Sequence, residues 1–341
     1  MLRHSWMAGL LAIFALLSFV DPVASQSVAE FYAGKTIRLI VGYSAGGGHD
    51  LNARLLARYI GQYIPGKPRV VVENMPGASS LKSVQYLDSG APTDGTVFTA
   101  FSSGLVTESL TRPDHIPVNL NNYAWIGNLS QEVRVCYVRA GLGIHSWQDV
   151  LKHQGIIFGE TGRGSASYID SGILKEIFGV KLKAILGYPG SSEKKIAVER
   201  GELDGDCVSF SSIPTEWIQG NKIKIISRGS TAMLTGMPPD TPYILDLMDD
   251  PEKKRLIKFL LSPAYIGRPY VASKSVPADR VAALRTAFTA ALKDPQLLAE
   301  ADKLQLPVVG SLTGEEAAAY IAEMYKATPE VIAAARKITG E

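Results

Sequence analysis

The stretch Thr36-Ile37-Arg38-Leu39-Ile40-Val41-Gly42-Tyr43-Ser44-Ala45-Gly46-Gly47-Gly48-His49-Asp50 decides the fold class. Its first half is a β-rich run, and its second half is small and flexible. Directly after it, Leu51, Leu55, Leu56, Tyr59, Ile60 and Tyr63 form a helical stripe that Pro65-Gly66 stops. The order strand, small-residue loop, helix then recurs. A strand at 70–74 leads into Met75-Pro76-Gly77-Ala78-Ser79-Ser80 and a helix to residue 87. A strand at 96–101 leads into Ser102-Ser103-Gly104. A strand at 156–159 leads into Glu160-Thr161-Gly162-Arg163-Gly164-Ser165-Ala166-Ser167 and a helix to 178. A strand at 183–186 leads into Gly187-Tyr188-Pro189-Gly190-Ser191-Ser192 and a helix at 193–200. Further strands are expected at 206–210 and 223–227, and the C-terminal third reads as helices at 249–261, 277–292, 294–304 and 313–328. This alternation predicts an α/β protein with mostly parallel sheets.

The five loops carry the functional signal. Glycine lets a backbone approach a ligand closely, and Ser or Thr adds hydroxyl donors. The helix behind each loop presents unpaired N–H groups and a partial positive charge. Such loops bind anions without many Lys or Arg, and in open α/β sheets they gather at the carboxyl edge of the strands. An ordinary capped turn explains one such loop; it explains five in one chain less well.

The 341 residues suggest two domains. With 35 Lys+Arg against 33 Asp+Glu there is no basic field for nucleic acid. The 46% hydrophobic and 20% charged content excludes both low-complexity disorder and a polytopic membrane protein. Residues 1–25 read as a secretory signal: Arg3 and His4, an apolar run from Met7 to Val20, then Val23-Ala24-Ser25 as a cleavage site. The mature chain is expected to begin near Gln26 in an oxidising space, the periplasm in a Gram-negative host. Export permits a bridge between Cys136 and Cys207, but the reading adopted from sequence is two buried thiols. Their spacing, with His scarce, gives no zinc site.

Two motifs point elsewhere. Gly42-Tyr43-Ser44-Ala45-Gly46 matches a nucleophile elbow, but no histidine lies beyond His153 to serve as base. The glycine loops also lack the G-x-G-x-x-G of a dinucleotide site. No catalytic residue and no cofactor is therefore expected. His49 is placed beside the glycines, either as an anion contact or as an exposed polar residue.

Several fragments together resemble the substrate-binding proteins of the tripartite tricarboxylate transporter system, the Bug-type periplasmic receptors. They are Phe31-Tyr32 with Gly34-Lys35-Thr36-Ile37-Arg38-Leu39; Gly46-Gly47 with Asp50, Ala53 and Arg54; Val71-Val72-Glu73-Asn74-Met75-Pro76-Gly77-Ala78; Asp94-Gly95-Thr96; Thr161-Gly162 with Gly164-Ser165; and Gly201-Glu202-Leu203-Asp204. The resemblance implies a type II periplasmic-binding-protein fold: two α/β lobes joined by two crossover segments with a ligand cleft between. It places lobe I at 26–130 and 263–341, lobe II at 131–262, and the crossovers at 125–140 and 262–271.

In such receptors two loops act as a pincer on a ligand carboxylate, here Ser44 to Gly48 and Thr161 to Ala166. The implied ligand-binding set is Tyr43, Ser44, Ala45, Gly46, Gly47, Gly48, Asp50, Gly77, Ala78, Ser79, Ser102, Ser103, Thr161, Gly162, Arg163, Gly164, Ser165, Ala166 and Phe210. Ser44-Ala45 stands where proline is frequent, Tyr168 replaces a common histidine, and Arg163 sits where a small or polar residue is usual. Arg163 is thereby expected to be the principal charged contact to the ligand carboxylate. The implied function is a monomeric, non-enzymatic receptor that delivers a small organic acid to small and large membrane permease subunits. A secreted α/β hydrolase using Ser44 and a binding protein serving a sensor are the other readings open at this point.

Overall fold

The structure, a computed structural model, describes residues 26–340, so the expected signal sequence lies outside the described residues. The chain opens with α1 (Val28–Tyr32), β1 (Thr36–Val41), α2 (Gly48–Ile60), β2 (Arg69–Asn74), α3 (Leu81–Ser89), β3 (Val97–Ala100), α4 (Gly104–Thr111) and β4 (Tyr123–Asn128). It continues with β5 (Arg134–Arg139), α5 (Trp147–Lys152), β6 (Ile156–Glu160), α6 (Ala166–Gly172), β7 (Leu182–Leu186), α7 (Ser191–Glu199), β8 (Gly205–Ser209), α8 (Thr215–Gln219), β9 (Ile223–Arg228) and α9 (Pro251–Leu261). It ends with β10 (Pro269–Ser273), α10 (Ala278–Ala291), α11 (Pro295–Lys303), β11 (Leu312–Thr313), α12 (Gly314–Met324) and α13 (Pro329–Thr339).

The strands form two sheets, in the orders β11-β4-β10-β3-β1-β2 and β7-β6-β8-β5-β9. Each sheet is sandwiched between helices. Along β1, Leu39 and Val41 join the core on one face while Ile40 joins the core on the other. Such a strand is buried on both sides, which is why it reads as a continuous apolar run. Burying each of these side chains stabilises the lobe by about 1.5–3 kcal/mol. Local chemistry sets the helix starts: Thr313 and Glu316 form a reciprocal capping box at α12, and Asp250 caps α9 ahead of Pro251.

The sheets are mixed, which corrects the expectation of mostly parallel strands. β1, β2 and β3 run parallel, as do β6, β7 and β8, but β10 is antiparallel to β3 and β4, and β5 is antiparallel to β8 and β9. The physical reason is the crossing itself. β5 and β10 each enter a sheet from the other lobe, so they run against the strands built by local strand–helix–strand units.

The crossing segments are shorter than the sequence suggests. Residues 129–133 join β4 to β5, and residues 262–268 join α9 to β10. They pair with each other: Leu129 N–H donates to Arg268 O at 3.1 Å, Arg268 N–H to Ser130 O at 3.0 Å, and Glu132 N–H to Ala264 O at 2.9 Å.

Cys136 and Cys207 sit directly opposite each other on β5 and β8, and they form a disulfide. This corrects the reading as two thiols, which had no information on strand pairing. The last helix also departs from its neighbours. α10 and α12 pack on the first lobe, whereas Ala335 and Ile338 of α13 lie in the second lobe's core. From there α13 reaches back to α4, where Arg336 Nε donates to Thr111 O at 2.7 Å.

Candidate functional site

Between the lobes lies a cavity of about 60 Å³. The carboxyl ends of β1 and β3 face it from one side, and those of β6 and β8 from the other. It is walled from the first lobe by Tyr43 and Gly47 after β1, Gly48 at the start of α2 and Ser102 after β3, and from the second by Thr161 and Ser165 after β6, Ser167 in α6, Ser191 at the start of α7 and Ser209 at the end of β8. α2 and α7 both start here with a glycine N-cap and no side-chain cap, so their first-turn amides are left for another acceptor. Gly46, at φ +78°, makes the turn that aims α2 at the cavity, and its N–H donates to Asp50 Oδ2 at 2.8 Å. Gly48 has no special backbone angle; it is glycine for space, since a β-carbon there would meet Ser212 Oγ at 2.5 Å and Arg268 Nη2 at 2.9 Å.

The lobes touch around this cavity. Ser44 N–H donates to Pro189 O at 3.2 Å, Ser44 Oγ to Glu193 Oε2 at 2.8 Å, and Ser192 Oγ to Ala45 O at 3.2 Å. Ser79 and Thr161 hydroxyls meet at 3.2 Å, and Ala166 N–H donates to Ser102 Oγ at 3.3 Å. Tyr43 stacks on His49 with ring centroids 4.8 Å apart. This is a closed arrangement. Ser44 is held by a carboxylate of the opposite lobe and so ties the two lobes together.

The cavity's charged groups come mostly from places outside the five loops. Arg134, Arg268, Glu132 and Lys194 all line it. Glu132 accepts from Arg134 Nη1 at 3.2 Å and pairs with Arg268 Nη2 at 3.0 Å. Arg134 Nε donates to Asp170 at 2.5 Å, and Lys194 Nζ donates to Asp206 at 2.6 Å. Behind Ser167, Glu160 is pushed up to about 7, first by burial and then by the neighbouring Asp206 charge, against the pull of Lys194. Burial likewise pushes Asp170 up to about 6 despite Arg134. His49 is held neutral, well below its usual value, by burial and by the two guanidiniums of Arg268 and Arg134.

Of the residues expected in the site, Tyr43, Gly47, Gly48, Ser102, Thr161, Ser165 and Ala166 line this cavity. Ser44, Ala45 and Gly46 bind the opposite lobe or cap their own turn. Asp50 is structural: it accepts from Arg54 and Asn74 as well as Gly46. Gly77, Ala78 and Ser79 border a neighbouring cavity of about 230 Å³ shared with Thr161 and Tyr188. Ser103 borders another small cavity beside Ala264. Phe210 is packed in the second lobe's core, as strand-end aromatics often are.

Gly162 packs against Ser79, and Gly164 against Glu108. Arg163 takes a different place from the one expected. Its Nη1 donates to Gly340 O at 3.3 Å, and the residue borders a cavity of about 490 Å³ between α6, β7 and α13. That larger cavity is walled by helix sides and the edge strand β7 and lies outside the interlobe cleft. Sequence reasoning missed Arg134, Arg268, Glu132 and Lys194 as cleft residues. The available signal was charge in or beside the crossover segments, where Glu132, Arg134 and Arg268 stand; Lys194, inside α7, carried no such signal.

No family model matches the chain. It is 27% identical over 227 residues to the UPF0065 protein in the gbd 5′ region of Cupriavidus necator, a match spanning 64% of this chain and 66% of that protein. Its fold is that of periplasmic binding proteins. It superposes on the periplasmic binding protein BugD with a TM-score of 0.72 at 21% identity, over 90% of this chain and 98% of BugD. MatC from Rhodopseudomonas palustris with bound malate matches at 0.69 and 17% identity, over 90% and 99% of the two chains. The protein Rpa4515 of R. palustris with adipate matches at 0.70 and 15% identity, over 89% and 97%. The fold implied by the resemblance therefore holds over about 90% of the chain.

Proposed function

We propose that this chain is a Bug-type receptor of the tripartite tricarboxylate transporter kind, exported to the periplasm, which closes its lobes on a small organic carboxylate and delivers it to membrane permease subunits. The observation that carries this reading is the interlobe cavity itself. Uncapped helix amides, serine and threonine hydroxyls and a buried guanidinium converge on one small volume, a donor-rich set suited to an anion. The relatives named for solute binding, two of them with dicarboxylates, support the carboxylate class.

The chemistry is binding without turnover. Amides from α2 and α7 belong to different lobes, so an anion that engages both is bound more tightly by the closed arrangement than by an open one. Ligand binding would then shift the population toward closure, and the closed face is what a permease reads. The test is a thermal-shift screen of organic acids on the mature protein. A ligand at 100 times its dissociation constant raises stability by about 2.7 kcal/mol, which is visible as a rise in Tm. A flat response across carboxylates, with a rise for cationic or neutral solutes, would contradict the reading.

A further inference from the structure

Arg268 differs from the other cations of the cleft in how its donors are used. Arg134 has all three nitrogens engaged, by Asp170, Glu132 and the Cys207 carbonyl. Lys194 is held by Asp206 and Ser167. Arg268 is only 5% exposed, yet its Nη2 alone has side-chain partners, Glu132 at 3.0 Å and Ser212 at 3.5 Å. Its Nε and Nη1 donate to no protein group among the described residues. Its Nη2 also lies against the first residue of α2, since a β-carbon on Gly48 would stand 2.9 Å away. A buried guanidinium with open donors, beside an uncapped helix start, is built for a planar anion.

We propose that Arg268 is the charged contact for the ligand carboxylate, and that Glu132, paired with it, restricts the cleft to ligands of single negative charge. This rests on the carboxylate-receptor reading above. The selectivity follows from the charge balance. Arg134, Arg268 and Lys194 are matched by Glu132, Asp170 and Asp206, all buried in direct ion pairs. Glu160 adds a further carboxylate behind Ser167. One incoming carboxylate finds the helix amides and the open edge of Arg268. A second finds no unmatched cation and faces Glu132 at low dielectric, where like charges are costly. Repulsion of the wrong ligand is a common route to specificity. Glu132 and Arg268 also stand on the two different crossovers, so the contact acts at the hinge.

The experiment is titration calorimetry at pH 7.5 with three matched pairs that differ only in charge: succinate and succinamate, adipate and adipamate, phthalate and phthalamate. The wild type is expected to bind the monoanion of at least one pair about tenfold or more tightly over its dianion. Arg268→Gln is expected to weaken that monoanion about thirtyfold, with Arg268→Lys recovering part, because charge-assisted bonds at a bidentate site are lost. Glu132→Gln is expected to reverse the preference within the pair, and this variant decides the matter where Arg268→Gln does not fold.

A wild type that prefers the dianion, or a folded Arg268→Gln within about threefold of wild type, overturns the proposal. Failure of all six acids also overturns it. In that case the receptor reading survives if other acids in the thermal screen bind, and falls with it if none does.

Discussion

A β-carbon at Gly48 would stand 2.5 Å from Ser212 Oγ and 2.9 Å from Arg268 Nη2. Gly48→Val is therefore expected to push the cavity's charged wall aside and to lower acid affinity about tenfold or more, while its ordinary helical backbone keeps the fold. Calorimetry against the best acid of the screen, with circular dichroism as the fold control, checks this. Arg163→Gln is expected to leave that affinity within about threefold, because its side chain is turned to Gly340 and away from the cleft. The contrast between the two arginines shows what sequence can carry at this scale. Glycine and serine positions were legible because turns and helix starts constrain local backbone. The direction of a long flexible side chain was not, because it is set by what the distant α13 offers it. Arg268 was missed for the complementary reason: nothing local to 268 says that Glu132 will lie beside it.

At the scale of elements, the strand–loop–helix units were readable wherever partners are near in sequence. β1, β2, β6, β7 and α2 all fall within a few residues of expectation. What could not be read is pairing between segments far apart, and the disulfide is the clearest case. Cys136 and Cys207 are 71 residues apart and meet because β5 and β8 pair antiparallel in register. The bridge closes a long loop in the unfolded chain, worth roughly 4 kcal/mol on chain-entropy grounds. The Cys136→Ser/Cys207→Ser variant is expected to lose about 2–4 kcal/mol of stability in urea denaturation, and reductant is expected to have no further effect on it. An unchanged urea midpoint would contradict the bridge as a stabilising element.

The whole molecule is two lobes held in contact through their loops and tied again at the back by α13. Its buried carboxylates give stability a pH signature. Glu160, pushed up to about 7, binds a proton more readily folded than unfolded. Its stabilising contribution is therefore full below the ordinary carboxylate range and lost as pH rises through about 7. Asp170, pushed up to about 6, acts in the same direction. His49, kept neutral, opposes them in part, since its proton uptake is disfavoured in the fold. Glu160→Gln is expected to shrink the fall in urea midpoint between pH 5 and pH 8 relative to wild type; a fall of equal size in the variant would show that Glu160 is not its source.

The central claim is that the ligand sits between the lobes, and backbone amide spectra recorded while titrating the best acid of the screen test it most directly. The account predicts that the largest shifts fall on Gly47, Gly48, Ser102, Thr161, Ser165, Ser167 and Ser191, from both sides of the cleft. Shifts confined to Arg163, Tyr168, Lys175, Lys183 and Lys337, around the larger outer cavity, would contradict it.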